Sequence, residues 1–510
     1  MDTTTAILSD ITTTIAGVVN DFDQSSVLWA LIVGIILAFL LGAGMGANDV
    51  SNAFGTSVGK FVNFPIKFHR IFSGSGVVTI IQAYIMASIF ETLGSVLVGW
   101  SVTDTMRKGV VDTTQYANNP KELLLGQVAI LGGCASWLLI ATALHMPVST
   151  THSLVGATVG FSIVLRGLHG IQWEAIIKIV ASWFISPLLS GIISSILYLI
   201  MDHSVLRRNN PVKSALRTLP IFYFACLAFI GLMVFWDGSK LLKFDQIPGW
   251  GIPIISIGVG CLGAAFAHFI LKPRIQSKIQ DSEVPPTPPI FSDIESGRGT
   301  SELKEFTGEG GEQIQPKPKQ LPGKVRKFFN WLLPDRNRVD SRSTTQIFST
   351  IQVFTACFAG FAHGAQDVSN AIAPLAALIS IYRYKNTEQN EIVPIYVLLY
   401  GVLAICVGLW TLGHRVIKTV GQKMSEINPA SGFTIEFGAA MTALLASKIG
   451  LPISTTHCLV GSVVAVGSIR SGEGIKWSIF KKIVLSWVVT LPVSGLISAG
   501  IMLIIKWIAL

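Results

Sequence analysis

Apolar runs long enough to cross a bilayer recur along this chain, and nothing else in the sequence limits its fold as strongly. A helix needs about 20 residues to span a hydrocarbon layer of about 30 Å. By that measure the sequence predicts about twelve spans. They lie at 28–47, 72–99, 123–146, 149–165, 175–201, 218–236, 249–271, 347–363, 393–411, 433–450, 453–469 and 479–508. The runs are continuous and do not alternate, so helices are expected and a barrel is not. Charged residues make up 13% of the chain and hydrophobic ones 50%, about half the charged share of a soluble domain. Six cysteines are scattered without paired metal spacing and read as small buried apolar residues.

The net charge of +9 does not point to nucleic acid, because the basic residues sit between spans. Cytoplasmic loops are rich in Lys and Arg. Lys60, Lys67 and Arg70 follow the first span; Arg207, Arg208, Lys213 and Arg217 follow the fifth. Arg415, Lys418 and Lys423 follow the ninth, and Arg470, Lys476, Lys481 and Lys482 precede the twelfth. Loops 101–122 and 381–392 are nearly balanced. This alternation predicts both termini outside. The acidic N-terminus lacks the basic region of a cleavable signal. The expected organisation is an extracellular N-terminus (1–27), a first membrane repeat (28–201), two additional transmembrane helices (202–271), a cytoplasmic disordered loop (272–346) and a second membrane repeat (347–510). The loop is rich in Pro, Gly, Ser and mixed charge, a composition that buries too little to pack. Near its end Phe328-Phe329-Asn330-Trp331-Leu332-Leu333 follows Lys324, Arg326 and Lys327, the pattern of an interfacial helix.

The two membrane parts repeat each other. Gly46-Ala47-Asn48-Asp49-Val50-Ser51-Asn52-Ala53 returns as Gly364-Ala365-Gln366-Asp367-Val368-Ser369-Asn370-Ala371. Pro147-Val148-Ser149-Thr150-Thr151-His152 returns as Pro452-Ile453-Ser454-Thr455-Thr456-His457. Trp173, Lys178, Ser182, Trp183, Pro187 and Gly191 match Trp477, Lys482, Ser486, Trp487, Pro492 and Gly495. The loop charges give the two copies opposite orientation. Inverted repeats of this kind hold substrate and ions near the bilayer midplane.

The first motif follows the run Gly42-Ala43-Gly44-Met45-Gly46, which favours a broken helix and close backbone approach. An aspartate in a membrane span opposes insertion by about 2.5–3.5 kcal/mol, so it needs a partner or a cavity. Carboxylate, amide and freed carbonyl oxygens suit a small cation; the competing reading is a capping aspartate at the membrane edge. In the second motif, hydroxyls open an apolar helix. A helix N-terminus attracts anions, and Ser149, Thr150, Thr151 with Ser454, Thr455, Thr456 would clamp a tetrahedral oxyanion from two sides. The competing reading is an ordinary N-cap. His152 and His457 fit a hydrogen bond to a backbone carbonyl. His363 lies one helical turn before Asp367, where the first half has Met45. Glu91 and Glu436 are intramembrane acids without repeat mates: aligning Trp100 with Trp410 puts Gly401 opposite Glu91, and aligning the prolines puts Leu131 opposite Glu436. Such acids are functional unless merely paired. No nucleotide loop, metal cluster or catalytic triad is legible.

At these residues the chain resembles the inorganic phosphate transporter family, the sodium- or proton-coupled phosphate symporters, over 28–200 and 347–508. The resemblance implies an all-α polytopic membrane protein of about twelve transmembrane helices in two inverted-topology repeats with re-entrant or broken helices. It implies a plasma-membrane symporter, not an enzyme, that imports inorganic phosphate with sodium by alternating access and uses no cofactor. Sodium is expected at Asp49 and Asn52 and at Asp367 and Asn370, and phosphate at the two Ser-Thr-Thr runs. Glu91, Glu436 and His363 match positions the family needs for uptake. Gln366 departs from the Asn of the family motif, and its extra methylene bears on the second cation site. Proton coupling, sulfate as cargo, and a surface receptor without transport are the alternatives; a homodimer is left open.

Overall fold

The computed structural model describes residues 22–60, 77–108, 110–236, 238, 242–283, 323–335, 338, 341–414, 427–470 and 475–510. Helix α1 (Leu28–Phe54) leads into a short parallel ladder of β1 (Val58–Lys60) with β2 (Val78–Thr79). Then come α2 (Ile80–Val98), α3 (Trp100–Lys108), α4 (Pro120–Ala143), α5 (Thr150–Arg166) and α6 (Trp173–Met201). Helices α7 (Pro211–Phe235), α8 (Gly251–Phe266), α9 (Lys272–Glu283) and α10 (Gly323–Leu332) follow. The second half holds α11 (Arg342–His363), a π-helical turn (Gly364–Val368), α12 (Ser369–Tyr384), α13 (Ile395–Leu412), α14 (Pro429–Lys448), α15 (Thr455–Arg470) and α16 (Trp477–Ala509).

Nine helices among the described residues are long and apolar enough to cross a membrane, and they fall on nine of the twelve expected spans. The remaining three expectations, 149–165, 433–450 and 453–469, fall on α5, α14 and α15. Helices α5 and α15 have 17 and 16 residues, about 25 Å at helical rise, short of a full crossing. Helix α14 is long enough, but it is rich in Ala, Gly, Ser and Thr and buried on nearly every side. Helices α4 and α5 pack as one hairpin and α14 and α15 as another. The expected loop 272–346 opens in α9 and closes in α10 and the start of α11. Ile275 and Ile279, one turn apart and buried, give α9 an apolar anchor; residues 284–322 lie outside the described residues.

The glycine run at 42–46 does not end its helix: α1 continues through Asp49 to Phe54. In the second half a π-helical turn carries Gln366 and Asp367, so the helical path stays unbroken there too. The glycines serve close approach instead. A Cβ on Gly46 would land on the Ile405 carbonyl, and one on Gly364 on the Glu91 carbonyl. Gly94 and Gly408 meet the carbonyls of Phe361 and Ala43 in the same way. The packing is thus reciprocal: α1 lies on α13 while α11 lies on α2. Likewise α5 packs on α16 while α15 packs on α6. These contacts put Ile405, not Gly401, opposite Glu91. The tryptophan alignment misplaced it because glycines, which let backbones touch, set the register of these helices.

Two large apolar cores result among the described residues, with a smaller third where the ends of α1 and α2 meet α11 and α13, and none follows the sequence halves. One collects α1, α4, α5, α12 and α13. The other collects α7, α11, α14 and α15. Helix α6 begins in the first core at Ile176 and Ile179 and ends in the second at Tyr198 and Met201. Helix α16 runs the other way, from Ile483 and Trp487 to Met502 and Ile505.

Candidate functional site

The hairpin turns deliver two helix N-termini to the middle of the molecule. Ser149 caps α5, with extended backbone and its Oγ accepting from the His152 amide at 3.4 Å. Ser454 accepts from the His457 amide at 3.3 Å. Such caps satisfy donors that a helix start leaves unpaired. One residue on, Thr150 Oγ1 donates to Asp367 Oδ1 at 3.3 Å and Thr455 Oγ1 donates to Asp367 Oδ2 at 3.1 Å. Thr150 also lies beside Asp49. Both N-termini and both motif aspartates therefore meet at one place, every one of these side chains buried.

Asp49, Asp367, Glu91 and His363 line one small cavity with Met45, Gly46, Gly364, Val368 and Ile405. His363 Nδ1 stands 2.6 Å from Asp367 Oδ2. The four groups feel one another's charge. Three carboxyls facing one imidazole leave the cluster short of positive charge, and buried charges require compensation. Hard oxygens are at hand: Glu91 Oε2 and Asn370 Oδ1 are buried without a hydrogen-bond partner. Asn370 Nδ2 donates to Thr151 Oγ1 at 3.2 Å, and Thr151 donates to the Ile453 carbonyl at 3.0 Å. That ties one hairpin to the turn of the other. Asn52 lies in α1, but its side chain is outside the described residues, as the sequence-predicted sodium ligand beside Asp49.

Glu436 stands apart, in its own polar cradle. It accepts from Thr56, from Ser57, from Gln352 Nε2 at 3.2 Å and from Thr355 Oγ1 at 2.8 Å. His363 lines a second small cavity that Glu436 and Thr455 share, so one imidazole borders both acidic sites. The sequence reading missed the cradle. Its signal was present: Gln352 and Thr355 interrupt an apolar run at helical spacing, and Thr56-Ser57 follows the first motif directly.

The geometry adds detail to three expectations. The Gln366 amide faces a hairpin and not the cation cluster. Its Nε2 donates to the carbonyls of Ala443 at 3.2 Å and Leu451 at 3.5 Å, and its Oε1 is buried without a partner. The equivalent Asn48 donates to the Met146 carbonyl at 2.9 Å and accepts from the Val148 amide at 3.1 Å. Both side chains thus brace the turn that presents the hydroxyls, and the extra methylene costs the second copy its acceptor bond. Of the six motif hydroxyls, only those of Thr150 and Thr455 hydrogen-bond the aspartates among the described contacts. The histidines bond carbonyls as expected, but across the halves. His152 Nδ1 donates to the Trp487 carbonyl at 3.3 Å and His457 Nδ1 to the Trp183 carbonyl at 3.0 Å. Each also stacks on a tryptophan, with ring centroids 3.6 Å apart for His152–Trp183 and 3.7 Å for His457–Trp487.

A model of the phosphate transporter family matches residues 45–498. Sodium-dependent phosphate transporter 1 of Rattus norvegicus is 34% identical over 695 aligned residues, covering 99% of this chain and 99% of that protein. Sodium-dependent phosphate transporter 1-A of Danio rerio is 33% identical over 663, covering 100% and 99%. A solved structure described as the sodium-dependent phosphate transporter superposes with a TM-score of 0.73 at 30% identity, covering 94% of this chain and 99% of that one. Nine apolar helices among the described residues and these relatives identify a multi-pass membrane protein. By the extent of the family match, the chain belongs to the phosphate transporter family.

Proposed function

We propose that the chain is a secondary active symporter that imports inorganic phosphate together with sodium. The observation that carries this reading is the meeting of two helix N-termini with two aspartates at one buried point. An anion entering there meets amide dipoles and hydroxyls but also carboxylates. It is held only once cations neutralise those carboxylates, which makes cation and anion binding mutually dependent. In this reading Asp49, Asp367, Asn52 and Asn370 hold sodium. Ser149, Thr150, Thr151, Ser454, Thr455 and Thr456 receive phosphate, with Thr150 and Thr455 turning from the carboxylates toward it. Glu91, His363 and Glu436 couple the sites, and Gln366 positions the second hairpin. The names of the relatives favour sodium over protons and phosphate over sulfate. The loop charges favour both termini on the side away from the cytoplasm, and the resemblance favours the plasma membrane.

Radiolabelled phosphate uptake by the purified chain in sealed vesicles tests the proposal. Sodium and pH are varied independently, and sulfate is added as competitor. Uptake should follow the inward sodium gradient and be little reduced by excess sulfate. Equal uptake with choline in place of sodium at constant pH would overturn sodium coupling in favour of protons.

A further inference from the structure

Helix α10 sits at the membrane end of α6, held there by its C-terminus. Arg207, just past α6, donates to the carbonyls of Trp331 and Leu332, the latter at 2.9 Å, and to Asp202. His203 Nε2 reaches the Leu332 carbonyl at 3.3 Å. Asp202 is fully buried and also takes Arg338 at 2.6 Å. This clamp satisfies carbonyls that a helix end leaves open and keeps α10 against the body of the protein. Yet its apolar side chains are not all used there: Phe328 and Trp331 are 54% and 62% exposed, with ring centroids 6.1 Å apart.

The charge within α10 has one sign, and cations outnumber acids in the segments beside it, where Asp281, Glu283 and exposed Asp335 are the acids. The helix contains Lys324, Arg326 and Lys327 and no acid. Helical spacing puts positions 325, 328, 329 and 332 on one stripe, with position 331 at its edge between the basic positions 324 and 327. The neighbouring segments add Arg208, Lys213 and Arg217 after α6 and Lys272, Arg274 and Lys278 in α9. Val205, Leu206, Ala215, Leu216, Ile275 and Ile279 share one core, so these segments lie at the same end of the molecule. An exposed aromatic pair, flanked by cations and fixed at the level where membrane helices end, matches the boundary between acyl chains and anionic headgroups.

We propose that α10 is a docking surface for anionic phospholipid. The exposed Phe328 and Trp331 enter the acyl boundary, and the basic run of the helix, exposed Lys327 within it, brings it to the headgroups. The clamp through Arg207, Asp202 and Arg338 ties that contact to the start of α11, the helix that carries Gln352, Thr355 and His363. Each basic residue near an anionic surface contributes about fivefold in partitioning. The test is hydrogen–deuterium exchange of residues 325–332 in the full chain, embedded in nanodiscs of phosphatidylcholine alone or with about 30% phosphatidylserine. Exchange should slow on the order of tenfold with phosphatidylserine and recover in about 0.5 M salt. The combined variant Lys324→Gln, Arg326→Gln, Lys327→Gln should exchange alike in both discs. Equal rates for the wild-type chain in the two discs would overturn the proposal. So would an equal slowing by free inorganic phosphate in phosphatidylcholine discs, which would assign the basic groups to a soluble anion. The readout needs no transport, so it stands or falls separately from the proposed symport.

Discussion

Asp367 joins both hairpins and the imidazole: it takes Thr150, Thr455 and His363 at once. Asp49 shares Thr150 and the same cavity. Asp49→Asn and Asp367→Asn keep the shape and one oxygen but delete the charge that would hold a cation in a low-dielectric setting. Each variant should insert normally, since removing the charge lowers an insertion cost of about 2.5–3.5 kcal/mol, and each should lose coupled uptake. Uptake measured against sodium concentration decides the point: wild-type sodium dependence in either variant would refute the cation-site assignment. Gln366→Asn serves as the contrast. Its amide braces the second hairpin, as Asn48 braces the first, so the sodium needed for half-maximal uptake should stay unchanged. Restoring an acceptor for the Ile453 amide should add about 1 kcal/mol of stability. The aspartates and threonines of this site were legible because they repeat. The cradle of Glu436 was not, because Thr56 and Ser57 reach it across 380 and 379 residues of sequence, a pairing no local pattern encodes.

At the scale of elements, hydropathy located the long spans, α4 of the first hairpin included, and did not separate α5, α14 and α15 from full crossings. A window of apolar residues measures length and composition; it does not register that Ser149 and Ser454 start their helices deep inside the protein. The glycines show a similar limit. Gly42, Gly44 and Gly46 suggested a break, but Gly44 faces Leu138 of α4, and the use of Gly42 and Gly46, seating α1 on α13, depends on a partner helix some 360 residues away. This use is testable on Gly364, where a Cβ would collide with the Glu91 backbone. Overpacking of that kind costs about 1–3 kcal/mol, and relief requires α2 to move, carrying Glu91 with it. Gly364→Ala should therefore lower the thermal unfolding midpoint in detergent and weaken uptake together. Gly258 in α8 has nothing within 4 Å of its would-be Cβ, and Gly258→Ala should leave the midpoint unchanged or raise it, since it adds up to ~1 kcal/mol of stability. An equal effect of the two substitutions would contradict the close-packing role.

At the scale of the whole molecule, the two large apolar cores define which parts can move. The site lies on their boundary: Ala365 belongs to one core and Val368 to the other, with Asp367 in the turn between them. Opening the site to one side and then the other requires the cores to shift against each other, because packed interiors resist continuous deformation. Helices α6 and α16 are anchored in both, so any such shift bends them. Each has a proline near its middle, Pro187 and Pro492, between its two anchoring sets. Proline removes a backbone hydrogen bond and is a usual cause of a helix kink. At Pro187 the carbonyl released is that of Trp183, and His457 takes it; Pro492 sits one residue further from its tryptophan, so the mirror bond of His152 to the Trp487 carbonyl is shared with an intact helix. Pro187→Ala and Pro492→Ala restore a hydrogen bond worth ~1 kcal/mol in the straight form. Each should slow maximal uptake about fivefold, the rate equivalent of that energy, while the affinities for sodium and phosphate are retained and the thermal midpoint stays or rises. Phosphate binding measured beside uptake rates separates this from damage to the site. An unchanged maximal rate in the double variant would show that the cores do not turn on these two helices.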